Sequence, residues 1–529
     1  MGCVAAPLGL ELELIVLGML QLDFYAILLT LVILYRYLTT RNSLPRPPGP
    51  PGYPVIGNLL DMPSKNSYLT FTEWAKKYKS ELLYVNVFGT NIVILNSLRV
   101  IKELLDTKSS IYSSRPQRVM VSELMGWSFM FATMPYGRDW RRRRSLFQRF
   151  FPTSRADAYQ PQQRAKVRHL LSRLCDSQQN FVQTLRHFTG GIVIALGYGI
   201  QVNRVDDPYI KLAQRAIGLL NDASTPGKYL VDMIPWLKYI PDWFPGAKFK
   251  RDAKEWRKAT EEFKEAPFQA TKLNMEKGIA SISYAATCLE NLNTKTLEER
   301  LDMEELIKDT AATFYGGGTD TILCALLTFI LAMKHFPSAQ IKAQEELDMV
   351  VGPDRLPDFS DASNLPYVNA LIREVFRWQP ISPIALPHRS TEDDIFEGYF
   401  IPKGSIMIPN SWIFLHDEKV FPNPTEFIPE RFLTPSGVLD TNVLDPFDVA
   451  FGYGRRICPG MHMARSTVYI VITCILHTMH ISKPPGDDQP VEYLNTVIRM
   501  PKVFKCDIEP RSKSKERLIQ IEALAAHEL

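Results

Sequence analysis

A single helical run sets the scale of this fold. Residues Met303–His335 carry helical periodicity and are apolar on most sides. A helix of that length spans about 50 Å at ~1.5 Å per residue. One that is apolar nearly all round must be buried, so it crosses the core of a large domain and needs other helices to cover it. Its middle reads Tyr315-Gly316-Gly317-Gly318-Thr319-Asp320-Thr321-Ile322. Each glycine costs roughly 1 kcal/mol against alanine in a helix interior. A sequence accepts three in a row where backbone must approach something closely or where the helix must open. Asp320 and Thr321 then set an acid beside an alcohol at that place.

The rest of the chain supplies the covering layers. Helical periodicity recurs at Thr70–Lys79, Pro161–Gln179, Pro208–Asn221, Phe249–Gly278, Ser338–Val351 and Tyr367–Gln379, often closed by Pro or Gly. Leu82–Phe88 and Ile92–Leu95 are β-rich and separated by Gly89-Thr90-Asn91, which predicts a hairpin. Shorter β-prone pieces lie at Ile395–Ile401 and Ser405–Pro409, while Phe421–Ala450 reads as irregular. The expected class is mainly α with a small β lobe (α+β). The net charge of +4 gives no bulk attraction to nucleic acid. Seven scattered cysteines without C-x-x-C spacing argue against a disulfide framework or zinc ribbon and for reduced thiols.

The N-terminus reads as a membrane anchor. A spanning helix needs about 20 mostly apolar residues, and Leu14–Tyr35 meets that length despite Gln21 and Asp23. Arg36, Arg41 and Arg46 follow it and no cation precedes it, which puts the bulk of the chain in the cytosol. A cleaved signal peptide is the rival reading; it expects a cationic start and a shorter apolar core. Leu44-Pro45-Arg46-Pro47-Pro48-Gly49-Pro50-Pro51-Gly52 is then a stiff extended stretch, either a spacer or a hinge. This divides the chain into an anchor at 1–40, a proline-rich hinge at 41–54 and a catalytic domain at 55–529.

Four further segments carry chemistry. Phe451-Gly452-Tyr453-Gly454-Arg455-Arg456-Ile457-Cys458-Pro459-Gly460 places one thiol in a glycine-rich loop ahead of an apolar helix. The helix dipole and free N–H groups lower a thiol's pKa at such a place. Gly454 permits a tight turn, Gly460 lets the helix start close to whatever Cys458 binds, and Arg456 offers a planar cation. Trp140 and Arg144 share a helix face and can hold a carboxylate, while Arg141, Arg142 and Arg149 read equally as a solvated face or a docking patch. Glu374 and Arg377 form an i, i+3 pair, and Pro429-Glu430-Arg431-Phe432 offers a second arginine. Pro387-His388-Arg389 precedes a strand-like piece. His477 and His480, also i, i+3, have no H-E-x-x-H glutamate and read as helix packing.

Taken together and in chain order, W-x-x-x-R, G-G-x-D-T, E-x-x-R, P-E-R-F and F-x-x-G-x-R-x-C-x-G resemble the motifs of the cytochrome P-450 family. Ile322 departs from the pattern, which carries a hydroxyl residue there. The similarity runs from anchor to C-terminal loop and is nearest to membrane-bound fungal enzymes of secondary metabolism. It implies the P-450 fold behind one N-terminal transmembrane helix, with haem b held by the Cys458 thiolate as the iron ligand. It assigns Trp140, Arg144 and His388 to the haem propionates. Phe451, Arg456 and Gly460 join Cys458 in the cofactor loop, and Gly317 and Gly318 form the oxygen groove. Asp320 and Thr321 are the expected catalytic proton carriers, and Glu374, Arg377 and Arg431 a structural charge triad.

The implied activity is a monooxygenase acting on a lipophilic small molecule with O2 and two electrons from NADPH. Those electrons come through a separate flavoprotein reductase. The implied location is single-pass in the endoplasmic reticulum membrane, catalytic domain toward the cytosol. The alternative is a haem-thiolate isomerase, dehydratase or peroxide-using enzyme that does not activate O2. Expected substrate walls are Pro116–Phe131, with Met120, Leu124, Met125, Trp127, Phe129 and Phe131, together with Ala312, Thr313 and Ile381–Leu386.

Overall fold

The computed structural model describes residues 44–152, 158–176, 180–203, 206–225, 227–487 and 490–525, with positions 23, 25–27, 29–31 and 34. The expected anchor at Leu14–Tyr35 lies largely outside the described residues. Among those that are described, only Leu297–His335 is long and apolar enough to cross a membrane. Of its most apolar window, 83 % is buried, so it is a core helix.

Contacts divide the chain into two units. The smaller joins the N-terminal residues through Pro47 to Asp393–Lys403. In it, strands β4 (Asp394–Phe396) and β5 (Tyr399–Ile401) pair antiparallel around Glu397 and Gly398, both left-handed. This resolves the single β-prone piece at Ile395–Ile401 into a hairpin. The Phe400 N–H donates to the Pro45 carbonyl at 2.9 Å.

The larger unit, Pro48–Glu392 with Gly404–Leu529, holds the helical body. Its central helix is Leu297–His335, six residues longer at the start than the apolar pattern shows. The Thr296 side chain accepts from the Glu299 N–H, and the Glu299 carboxylate accepts from the Lys295 N–H. That polar cap starts the helix ahead of its apolar stretch. The helix runs through Gly316–Gly318 without a break, so of the two readings of these glycines the close approach holds, Gly318 lying against Val193.

Its closest neighbour is the helix Phe181–Tyr198, which periodicity did not single out. Gly190, Gly191 and the Ile192-Val193-Ile194 run after them weaken its helical signature. In the fold the glycines allow close packing: a Cβ at Gly191 would sit 2.9 Å from Val202. Further cover comes from Arg138–Phe150, Lys248–Glu276, Pro366–Trp378 and Met461–Thr478. A C-terminal helix, Lys513–Ala525, was also not foreseen.

The β lobe is a four-stranded sheet in the order β1-β2-β6-β3, formed by Leu82–Val87, Thr90–Leu95, Ile406–Pro409 and His388–Arg389. The β1–β2 turn is Phe88-Gly89, both left-handed, a residue earlier than the sequence suggests. β2 and β6 pair parallel, Ile92 against Ile406, a match between segments some 300 residues apart that local pattern does not reveal. Pro48 and Gly49, at the end of the proline stretch, pack on this sheet. The Tyr84 N–H donates to the Pro48 carbonyl at 2.9 Å, and a Cβ at Gly49 would lie 2.0 Å from the Tyr84 oxygen.

Candidate active site

Residues 451–460 form a closed loop. The Cys458 N–H donates to the Phe451 carbonyl at 2.7 Å, and the Met461–Thr478 helix begins directly after Gly460. Gly454 has φ +54°, and a Cβ there would lie 2.0 Å from the Leu105 oxygen, so only glycine fits. The Phe451 ring packs on Phe376 at 5.8 Å. Burial pushes the Cys458 thiol up, while the Gly460 N–H and Arg144 pull the other way. The expected lowering by the helix start is therefore outweighed by desolvation. Coordination to a metal cation is what deprotonates a thiol in such a place.

Beside the loop lies a group of cations, Arg115 and Arg456 buried and Arg144 half-buried. The Arg456 guanidinium stands 4.5 Å from the Trp140 ring centre and donates to the carbonyls of Ser113 at 2.6 Å, Phe131 at 3.2 Å and Met134 at 2.5 Å. Arg144 Nη1 donates to the Ile457 carbonyl at 2.6 Å. Arg115, absent from the sequence reading, donates to Ala132, Leu386 and Pro387 carbonyls at 3.1, 2.6 and 2.9 Å. His388 is buried and its Nδ1–H donates to the Tyr112 carbonyl at 2.7 Å, whereas Arg389 is exposed.

Burial pushes both Arg115 and Arg456 down to about 9, helped in each by a neighbouring arginine. Burial, with Arg115 next, holds His388 well below its usual value and hence neutral. Among the described residues no carboxylate bonds to Arg115, Arg144 or Arg456. Buried arginines are normally paired. The buried Ser113 hydroxyl also has no partner among the described residues. A donor-rich group of cations beside a thiol fits a flat metal-bearing group with two acid arms, as haem is. Arg115 escaped notice because its partners lie 271 and 272 residues away.

On the central helix, Gly317 and Thr321 are one turn apart on one face. A Cβ at Gly317 would meet nothing within 4 Å, whereas one at Gly318 would press on Val193 at 3.0 Å. The Thr321 hydroxyl donates to the Gly317 carbonyl at 2.9 Å. Asp320 points elsewhere: its carboxylate accepts from Arg186 Nη1 and Asn221 Nδ2, each at 3.1 Å. Burial raises its pKa, and Arg186 offsets part of that. The structure therefore does not bring this acid and alcohol into contact. Met120, Met125, Trp127, Phe129 and Phe131 are all buried, and Trp127 stacks on Phe129 at 5.4 Å. Ala312 and Thr313 are buried as well.

The structure joins Glu374, Arg377 and Arg431. Arg377 donates to Glu374 through Nε at 2.6 Å and Nη2 at 2.8 Å, both side chains fully buried. Arg431 Nε donates to the same carboxylate at 3.1 Å. The other basic residues separate: Arg142 pairs with Asp302, Arg141 lies over Tyr136, and Arg149 is exposed. Arg143 reaches the buried Asp309 at 2.7 Å and pins the Trp140 helix to the central one. His477 is buried in its helix, but His480 is exposed on strand β7 (Met479–Ser482), so the two do not share a helix face.

Residues 47–507 match the family model of cytochrome P450. The chain is 40 % identical over 492 residues to cytochrome P450 monooxygenase 98 of Postia placenta, spanning 91 % of this chain and 93 % of that protein. It is 41 % identical over 503 residues to a cytochrome P450 monooxygenase of Armillaria gallica, spanning 94 % and 97 %. It is 39 % identical over 476 residues to tryptamine 4-monooxygenase of Psilocybe cyanescens, spanning 88 % and 93 %. The match and the helical fold run over the same stretch of chain, and the protein belongs to the cytochrome P450 family of haem-thiolate monooxygenases.

Proposed function

We propose that this protein is a membrane-bound monooxygenase that hydroxylates a lipophilic small molecule, in fungal secondary metabolism or xenobiotic oxidation. It uses O2 and two electrons passed from NADPH by a separate flavoprotein reductase. The observation that carries this reading is the half-buried thiol of Cys458 beside three arginines to which no carboxylate bonds among the described residues. Cys458 would bind the haem iron, and Trp140, Arg144, Arg456, His388 and the newly recognised Arg115 would hold the two acid arms. Haem bound there supplies O2 activation and delivery of one oxygen atom to a substrate C–H bond.

The protein's own part is positioning and proton handling. Gly317 leaves space on the open face, and the apolar walls keep water from it. The Thr321 hydroxyl turns from the Gly317 carbonyl to hold a water. Asp320, exchanging its Arg186 contact for solvent, passes a proton toward that water. Glu374, Arg377 and Arg431 fix the scaffold beneath the thiolate loop. An anchor at 1–40, a hinge at 41–54 and a catalytic domain at 55–529 put this site on the cytosolic side of the endoplasmic reticulum. The apolar run Leu14–Tyr35 and the arginines after it support that placement.

The test is product formation dependent on NADPH and reductase, with labelled oxygen from O2 in the product. Equal product under nitrogen refutes the monooxygenase reading in favour of an isomerase or dehydratase. Cys458→Ala abolishes the red-shifted Soret band of the ferrous carbonyl complex, and its survival removes Cys458 as ligand. Thr321→Ala consumes NADPH without matching product, and unchanged coupling removes its relay role.

A further inference from the structure

Tyr136 stands among the residues that receive the acid arms, and the assigned chemistry gives it no part. It lies just ahead of the Arg138–Phe150 helix and is half-buried. Its hydroxyl accepts from Nη1 of the exposed Arg455 at 2.8 Å. Guanidinium groups lie against its ring, with Arg455 at 5.4 Å, Arg141 at 5.5 Å and Arg456 at 6.0 Å from the centre, all within reach of a cation–π contact. The buried Trp140 ring is 5.1 Å away. Burial pushes the Tyr136 phenol up, but hydrogen bonds from Arg141 and Arg455 outweigh it and leave the group below its usual value.

This one residue joins the segments that build most of the acid-binding set. Its backbone N–H donates to the Ser114 hydroxyl at 3.3 Å. That contact brings together the two ends of the stretch whose carbonyls, from Ser113, Phe131 and Met134, receive Arg456. Its ring meets the helix at Trp140 and the thiol loop at Arg455 and Arg456. A guanidinium fork binds a carboxylate best in its own plane, and that plane follows from what lies against its faces. Arg456 lies over Trp140 at 4.5 Å and borders Tyr136, so these two rings fix where its unspent N–H groups point. The choice of an aromatic matters. A carboxylate at position 136 would pair with Arg456 and take the place of an acid arm, whereas an electron-rich neutral ring holds the cation and leaves it unspent.

We infer that Tyr136 is a positioning residue for a cofactor acid arm: its ring, with Trp140, sets the plane of the Arg456 fork, and its hydroxyl anchors that ring to Arg455 at the surface. Phenylalanine at this place keeps the ring and loses the anchor; leucine loses both. This deepens the proposed function, on which it rests, by naming what orients the cation that meets the acid.

The experiment follows transfer of the cofactor from the full-length, loaded protein to an acceptor globin, with haem and with haem dimethyl ester, whose arms carry no charge. Tyr136→Leu is expected to release haem about tenfold faster than wild type, the worth of one desolvated cation–ring contact, and to release the ester at the wild-type rate. A side chain that merely supported the fold would speed both alike; that result overturns the inference, as does haem release at the wild-type rate. The second arm is a double-mutant cycle. Tyr136→Phe and Arg455→Gln should each raise haem release about threefold, the worth of one part-exposed hydrogen bond. The double variant should be no faster than either, because hydroxyl and guanidinium act through one bond. Effects that multiply mean that Arg455 acts through space as a charge, and they overturn the anchor. This cycle decides the matter even where Tyr136→Leu takes up no haem. The transfer rates need no substrate, NADPH or O2, so product formed under nitrogen refutes the proposed function and leaves them unmoved.

Discussion

Glu374→Ala isolates what the buried triad contributes. The carboxylate accepts four hydrogen bonds: from Arg377 Nε and Nη2, from Arg431 Nε, and from the Ile428 N–H at 2.9 Å. Its removal leaves Arg377 fully buried with only the carbonyls of Leu415, Pro424 and Glu426 around it. Breaking one side of a buried pair costs about 3–5 kcal/mol, a hundredfold to a few thousandfold in the folding equilibrium. Urea unfolding followed by circular dichroism reads this as a lower midpoint at unchanged slope. With a slope of at least about 3 kcal/mol per molar for so large a chain, the drop is at most about 1–2 M. Lys342→Ala, which breaks the exposed Lys342–Glu430 pair at 2.5 Å, is the control and costs under about 1 kcal/mol. If the two variants lose the same stability, burial is not what gives the triad its strength, and the reasoning fails.

Other expectations follow from single contacts. Gly454→Ala yields no haem-loaded protein, because its Cβ would lie 2.0 Å from the Leu105 oxygen; Gly89→Ala, also left-handed but with nothing within 4 Å, loses only about 1–2 kcal/mol. Recovery of a normal carbonyl spectrum from Gly454→Ala contradicts this. Arg115→Gln releases haem to an acceptor globin about tenfold faster than wild type, the worth of one charged hydrogen bond, and an unchanged release rate removes Arg115 from the acid-binding set. Burial, with Lys515 next, holds His477 down at about 4, and its Nε2 faces the Lys515 ammonium at 2.6 Å. The unfolded chain takes up this proton first as pH falls below about 6.5, so stability drops by about 2 kcal/mol between about pH 7 and pH 5 through this group. Urea midpoints of His477→Gln should show a shallower acid slope, and an identical slope refutes the assignment.

What the sequence disclosed was whatever chemistry is local. The thiol loop announces itself because Gly454 and Cys458 must lie four residues apart for one turn to close. Trp140 with Arg144, and Glu374 with Arg377, are legible through helical spacing alone. What stayed hidden depends on distant chain. Arg115 is an arginine before a proline until Leu386 and Pro387 are brought to it. The sequence shows Asp320 beside Thr321, but Arg186 and Asn221, from two other helices, turn the acid aside. The helix Phe181–Tyr198 was missed for a related reason: glycines that read as breakers in isolation are contact points once Val202 and Ile210 are present.

The buried arginines around Cys458 carry a consequence for the life of the chain. Buried Arg115 and Arg456 repel one another, and half-buried Arg144 adds to the charge beside Arg456. Two acid arms and a metal remove that cost only in the native form, and ligand that binds the native form alone stabilises it by mass action. Haem availability then sets how much of the chain survives cellular proteolysis. The same cations that receive the acid arms thereby couple cofactor binding to the folding equilibrium.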